Sequence, residues 1–303
     1  MIQQGRVLKV YNSVLYVAAS DGVVACKLRG KTKRQESGIL PGDLVDFDRI
    51  TAQDGIVEHI LERKNLLQRP RVANLSQIVI TIAAASPDPH PLVLNRFLVL
   101  AEHAGIGRIV ICINKMDLSQ NSAEAVLTEY ERIGYPVLRV SAATGMGIAL
   151  LREHLNGEIT VFAGPSGTGK SSLLNAIDPS LALLTGAVSE KIGRGRHTTR
   201  RAELIPYEGG FVVDTPGFTQ QELRGLTHQE LADCFPEFSG AAGCRFAPCS
   251  HSHEPDCAVK DAVAAGMILS ERYDAYLAFL DELQTQKKEE NHYVTRTRRR
   301  AYS

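Results

Sequence analysis

Apolar positions fall into three successive rhythms along the chain. Between Gly5 and about Leu67, residues 6–10, 13–18, 23–28, 44–49 and 55–60 are rich in β-formers and bounded by turns at Tyr11-Asn12, Asp21-Gly22, Pro41-Gly42 and Asp54-Gly55. Five short strands in so small a segment predict a closed barrel, with the OB-fold as first choice and an SH3-like barrel as second. From about Leu75 the pattern changes. Apolar runs at residues 78–85, 109–113, 137–140 and 159–163 alternate with helical spacing over 92–104, 123–133 and 148–155. Strands buried on both faces read as unbroken apolar runs, so this alternation predicts a doubly wound parallel sheet. After Gly225 come a cysteine-containing loop region, an apolar-spaced helix over 269–283 and a polar, basic tail. The expected fold class is multidomain α/β: a barrel at 1–68, an α/β domain at 69–225 and a small helical domain with a basic C-terminal tail at 226–303.

Composition changes this picture little. Of 303 residues, 44% are hydrophobic and 22% charged, which excludes a disordered or fibrous chain. Lys plus Arg and Asp plus Glu are both 34, so the balance names no partner. Locally it does better: Lys27, Arg29, Lys31, Lys33 and Arg34 crowd one segment, and Arg296, Arg298, Arg299 and Arg300 crowd the other end. The first twenty residues lack a basic start followed by an apolar stretch, and the run at 78–85 falls short of the roughly 20 residues that a membrane helix needs. A cytoplasmic protein without membrane attachment is expected. Four of six cysteines, Cys234, Cys244, Cys249 and Cys257, lie close together, which in that setting favours metal over disulfides.

The chemistry concentrates at strand ends. Gly164-Pro165-Ser166-Gly167-Thr168-Gly169-Lys170-Ser171, followed by Ser172, fits the phosphate-loop pattern between an apolar strand and a helix. Its glycines let backbone N–H groups face phosphates, Lys170 brings positive charge and Ser171 an oxygen for Mg²⁺. Asn114-Lys115-Met116-Asp117 follows the strand at 109–113, at the carboxyl end where open α/β sheets bind ligands. A carboxylate there accepts guanine N1–H and N2–H₂ together, a pattern that adenine lacks. Ser141-Ala142, after another strand, offers a backbone N–H for guanine O6. Asp214-Thr215-Pro216-Gly217 follows a strand-like run at 210–213 and suits Mg²⁺ through Asp214 and the γ-phosphate through the Gly217 N–H. Together the motifs favour GTP over ATP.

In Ras-type GTPases the phosphate loop comes first, whereas here it follows the Asn-Lys-x-Asp and Ser-Ala loops, so the order is circularly permuted. Every motif sits at a strand end and domain termini often lie close together, which makes such a rearrangement physically reasonable. A barrel, a permuted GTPase and a Cys/His cluster in this order resemble the RsgA family of small ribosomal subunit biogenesis GTPases, also called YjeQ or YloQ, over nearly the whole chain. The resemblance implies an OB-fold that binds rRNA, a GTPase domain and a C-terminal zinc domain, with GTP hydrolysis stimulated by the small ribosomal subunit during late maturation. Assembly factors are further expected partners, and nothing demands more than a monomer.

The resemblance also addresses the hydrolytic step. Phe218 stands where Ras-type enzymes carry a water-orienting glutamine. The family's switch segment matches residues 195–200, which makes His197 the residue that orients or activates water and Thr199 a Mg²⁺ ligand beside Ser171 and Asp214. Arg194, Arg196, Arg200 and Arg201 are open to RNA or to transition-state charge. Cys244, Cys249, His251 and Cys257 form a Cys₃His set suited to a closed, structural Zn²⁺ site. The family's spacing places His251 ahead of His253. Cys26, Cys112 and Cys234 read as packing residues. RNA contact is expected from Lys27, Arg29, Lys31, Lys33 and Arg34 and from Arg298, Arg299 and Arg300, while Phe47 and Tyr16 are candidates for base stacking or for the barrel core. Two other functions stay open at this point: a switch in which GTP only tunes RNA affinity, and an unrelated phosphate-loop kinase or ATPase.

Overall fold

The computed structural model describes residues 2–29, 38–118, 124–181, 202–214, 223, 225–241 and 243–301, with the side chains of 124–126, 214 and 290–301 left aside. Strand β1 (Ile2–Tyr11) pairs with β2 (Val14–Ala19), and β2 with β3 (Gly22–Leu28). Strand β4 (Leu44–Arg49) pairs with β1 and with β5 (Asp54–Ile60), which runs parallel to β3 and closes the barrel in the order β1-β2-β3-β5-β4. This is the OB arrangement. The long first strand is shared, its residues from Ile2 to Arg6 pairing with β4 and those from Arg6 to Tyr11 with β2, with a bulge between Val7 and Lys9 that bends it. Val7, Leu15, Val17, Val24, Cys26, Val45, Phe47 and Val57 fill the interior.

A short hairpin, β6 (Leu66–Gln68) and β7 (Arg71–Ala73), leads from barrel to sheet. It is tied to the barrel by Ala73 N donating to the Pro41 carbonyl at 2.9 Å and Asn74 Nδ2 to the Gly42 carbonyl at 3.0 Å. The sheet contains β8 (Gln77–Ala83), β9 (Arg108–Asn114), β10 (Val137–Arg139), β11 (Ile159–Ala163), β12 (Glu203–Tyr207) and β13 (Gly210–Asp214), in the order β10-β9-β8-β11-β13-β12. All neighbours are parallel except β12, which is antiparallel to β13. The four strands from which the parallel sheet was expected are all parallel, and β12 adds an antiparallel edge that the apolar runs did not announce. Pro206 interrupts the strand pattern in the sequence, yet an edge strand tolerates proline because one side of its backbone has no ladder to complete.

The helices are α1 (Pro91–His103), α2 (Glu124–Ile133), α3 (Ile148–Leu155), α4 (Lys170–Ile177), α5 (His228–Asp233), α6 (Ala258–Ala264) and α7 (Ser270–Ala301). The last one corrects the sequence reading: the basic segment continues the helix to Ala301 rather than leaving it as a tail. Contacts divide the chain into two compact units. One comprises Met1–Pro89, Ala104–Glu124 and Tyr135–Thr219, the barrel with the sheet; the other comprises His90–His103, Ala125–Gly134 and Gln220–Ser303. In the second unit Val99 of α1 joins Leu231, Phe235, Phe238, Val259, Tyr276 and Phe279 in one core.

Candidate functional site

Strand order places the first site. Connections from β8 run toward β9 and β10, those from β11 run toward β13 and β12, so the switch point lies between β8 and β11. Ligands of open α/β sheets bind at the carboxyl ends of strands there. The loop leaving β11 is the phosphate loop. Gly164 has φ 135° and packs so tightly that a Cβ would lie 2.1 Å from the Thr81 carbonyl oxygen of β8. Gly169 (φ 89°) caps α4, and a Cβ there would lie 2.3 Å from Asn114 Nδ2. Only glycine fits either position. The Thr168 hydroxyl donates to the Pro165 carbonyl at 3.0 Å, and Lys170 Nζ donates to the Gly164 and Pro165 carbonyls at 2.7 and 2.6 Å. Partial burial lowers the Lys170 ammonium to about 8, and among the described residues it has no carboxylate partner.

The base-recognition loops meet this loop directly. Asn114, 1% exposed at the end of β9, donates from Nδ2 to the Thr168 carbonyl at 2.9 Å and accepts at Oδ1 from the Ala142 N–H at 3.1 Å. One side chain therefore fastens the phosphate loop, the Asn-Lys-x-Asp turn and the Ser-Ala loop together. The Ser141 hydroxyl donates to Asp117 Oδ1 and accepts from Thr144 N at 3.2 Å, while Asp117 stays exposed. Lys115, in the left-handed region at φ 63°, donates from Nζ to the Ser86 carbonyl. Asp214 ends β13, whose Val213 is in register with Val161 of the strand that carries the phosphate loop. Thr199, His197 and Gly217 lie outside the described residues. The sequence reading missed the segment 84–90: Ser86 accepts from Lys115, and Pro87 Cδ would lie 3.6 Å from a Cβ on Gly167. The Ser-Pro-Asp-Pro turn signal just after an apolar strand was the available clue.

The second site is metal-ligating. Ligand atoms of Cys244, Cys249, His251 and Cys257 all lie within 4.8 Å of one another. Cys244 Sγ and Cys249 Sγ are each 3.9 Å from Cys257 Sγ, and His251 Nδ1 is 3.6 Å from Cys244 Sγ and 3.4 Å from Cys257 Sγ. Tetrahedral zinc, with Zn–S of about 2.3 Å and Zn–N of about 2.0 Å, sets S···S at about 3.8 Å and S···N at about 3.5 Å. The donor set fits a closed tetrahedral ion. Disulfide sulfurs are bonded at about 2.05 Å, far below these separations. His253 stands outside the set, exposed, with Nδ1 3.0 Å from the Ser252 hydroxyl. Helix α7 holds the loop from behind: Tyr273 and Tyr276 donate to the carbonyls of His251 and Ser250 at 2.7 and 2.6 Å. Cys26, Cys112 and Cys234 are buried elsewhere, as expected of packing residues, and burial pushes their thiols up to about 11, 12 and 12.

Comparison with known proteins agrees with this geometry. The family model for the RsgA GTPase matches residues 60–224, and that for the RsgA N-terminal domain matches residues 4–57. The chain belongs to the RsgA GTPase family. RsgA of Moorella thermoacetica, named a small ribosomal subunit biogenesis GTPase, is 45% identical over 282 residues, covering 92% of this chain and 97% of its own. That of a Geobacillus species is 42% identical over 94% of this chain and 98% of its own. Among solved structures, YjeQ from Thermotoga maritima superposes with a TM-score of 0.82 at 38% identity, covering 94% of this chain and 99% of that one. YloQ, described as a circularly permuted GTPase, has a TM-score of 0.81 at 33% identity, with 94% and 96% covered. Like its RsgA relatives the chain is a GTPase, with the motif order permuted.

Of the basic residues expected to touch RNA in this RsgA family member, two have described side chains. Lys27 is exposed on β3 and Arg29 is exposed at its end, where it bonds Glu58 Oε2 at 2.6 Å, but Lys31, Lys33 and Arg34 lie outside the described residues. Arg298, Arg299 and Arg300 fall on α7, where side chains are not described. Phe47 is wholly buried and cannot stack on a base; Tyr16 is half-buried with Lys9 Nζ 5.3 Å from its ring centre. Among the described residues no helix is long and apolar enough to cross a membrane.

Proposed function

We propose that this GTPase converts GTP and water to GDP and phosphate under stimulation by the small ribosomal subunit, during late maturation of that subunit, and that it binds rRNA as a monomer through its barrel and C-terminal helix. The observation that carries the reading is Asn114, whose two hydrogen bonds tie the guanine-selective loops to the phosphate loop; the partner comes from the names of the relatives. The three functional segments are 1–68, 69–225 and 226–303. Residues 164–172 hold the phosphates, Asp117 and the Ser141-Ala142 loop the guanine, and Asn114 and Lys115 brace that loop. Gly217 meets the γ-phosphate.

Ser171, Thr199 and Asp214 hold the Mg²⁺ that accompanies GTP and offsets charge on the phosphates. Ser171 lies in the first turn of α4 and Asp214 ends β13, the parallel neighbour of β11, which supports that role. His197 orients the water that attacks the γ-phosphorus as the bond to the bridging oxygen breaks, in place of the glutamine replaced by Phe218. Lys170 follows the negative charge. The Cys₃His cluster holds one structural Zn²⁺, since four protein ligands leave no position open for substrate.

Phosphate release from GTP and from ATP, with and without purified small subunits at fixed salt and Mg²⁺, tests the proposal. Strong stimulation confined to GTP is expected; bound GTP with no stimulation rejects it. In the same assay His197→Ala lowers stimulated turnover about 10²-fold while GTP affinity stays near normal; unchanged turnover removes that role.

A further inference from the structure

Phe246 is anomalous among the aromatic residues. Of the described phenylalanines it is the exposed one, at 44%, whereas Phe47, Phe97, Phe162, Phe235, Phe238 and Phe279 are buried in cores. It sits in the tight loop between the first two metal ligands, Cys244 and Cys249, so both loop ends are held by the cluster. Arg245 N also donates to the Asp256 carbonyl at 3.2 Å, which fastens the loop to the segment before the fourth ligand. The Arg245 guanidinium lies 5.8 Å from the Phe246 ring centre and pairs with Asp256 at 2.8 Å, with both side chains about two-thirds exposed at 67% and 64%. An ion pair so exposed contributes little and exchanges readily for another anion.

We propose that Phe246 is a stacking platform for an unpaired RNA base, with Arg245 beside it available to the adjoining phosphate. The inference rests on the ribosomal reading above and adds a contact that neither basic segment supplies. Every base has a π-face, so a rigid exposed ring with a neighbouring guanidinium recognises single-stranded RNA without sequence preference. The loop is fastened beforehand, so docking orders little chain and keeps most of the contact energy. A protein partner would instead need an apolar pocket for the side chain, and the charge beside the ring favours RNA.

The test is affinity for purified small subunits, with zinc content confirming that each variant keeps its fold. Phe246→Ala and Phe246→Leu are expected to weaken binding roughly 5- to 100-fold, and Phe246→Tyr to keep it. The chain contains no tryptophan, so Phe246→Trp adds a single reporter whose emission lifetime shortens when a base stacks on it. Undiminished affinity of Phe246→Ala overturns the proposal, as does a Trp lifetime unchanged on subunits shown by sedimentation to be bound. Phe246→Leu binding as well as the parent chain replaces the base with a protein pocket and also overturns it. A parent chain that leaves small subunits unbound removes the ribosomal reading and this inference together.

Discussion

Asn114 and Lys170 do their work through backbone atoms rather than through other side chains. Replacing Asn114 by Ala strips the Thr168 carbonyl and the Ala142 N–H of their partner in a site where that residue is 1% exposed. Each orphaned group costs about 1–3 kcal/mol, so GDP affinity measured by fluorescent-nucleotide displacement is expected to fall at least 30-fold. Lys170 makes a pH prediction. Its ammonium is held at about 8 against an ordinary 10.5 because burial disfavours the charge. Between those values the unfolded chain keeps a proton that the folded chain has released, so this residue's contribution to stability rises with pH across that window. Nucleotide affinity moves the other way, since phosphate requires the cation. Affinity for GDP is expected to be flat up to pH 7 and about fourfold weaker at pH 8.5, read from the dissociation constant at each pH. The motif types at these positions were legible because a phosphate loop needs its residues at fixed covalent spacing. That Asn114 spends both its polar atoms on neighbouring loops was not.

Among the elements, α7 carries the most connections. Arg272, with no exposed surface, bonds both Glu237 oxygens at 2.6 and 2.9 Å and Asn95 of α1 at 3.0 Å, and Tyr130 of α2 donates to the same Asn95 oxygen at 2.9 Å. Its guanidinium lies 4.5 Å from the Phe235 ring centre. Arg272→Ala leaves Glu237 charged and almost buried, at 9% side-chain exposure, and should cost about 3–5 kcal/mol in urea unfolding. Next to it and one turn on, Tyr273 and Tyr276 hold the loop of the Cys/His cluster. Cys257 is both a metal ligand and the residue before α6, so Cys257→Ser is expected to abolish bound zinc in elemental analysis and to lower the unfolding midpoint. Sequence spacing predicts the apolar half of α7 but not its continuation, because lysine, glutamate and arginine sustain a helix without any apolar stripe. Helix α5 lies in the stretch expected to be loop, and it starts at a capping box in which Thr227 and Glu230 each bond the other's backbone. Strand β12 was obscured by Pro206.

At the scale of the molecule, the rRNA contact proposed above runs through exposed Lys27 and Arg29 of the barrel and the arginines that end α7, which makes RNA affinity an electrostatic quantity under that proposal. Affinity for small subunits should fall linearly on a log–log plot against salt, and neutralising Arg298, Arg299 and Arg300 together should flatten that slope by up to about three; an unchanged slope removes the helix from the contact. The sequence alone determined the five barrel strands, the order of the GTPase motifs and the three cysteine ligands, because each is written in short-range spacing: a period of two, a loop of fixed length, thiolates within one short stretch; the choice of His251 over His253 came from the family resemblance. Only the tertiary structure decided that α1 and α2, interleaved with the sheet strands, share a compact unit with the C-terminal region, and that Phe47 is core while Phe246 is surface. Those outcomes depend on which apolar face meets which, across separations such as the 177 positions between Asn95 and Arg272. Local spacing carries no record of such pairings; burial of apolar surface and the need to satisfy every buried polar group select them.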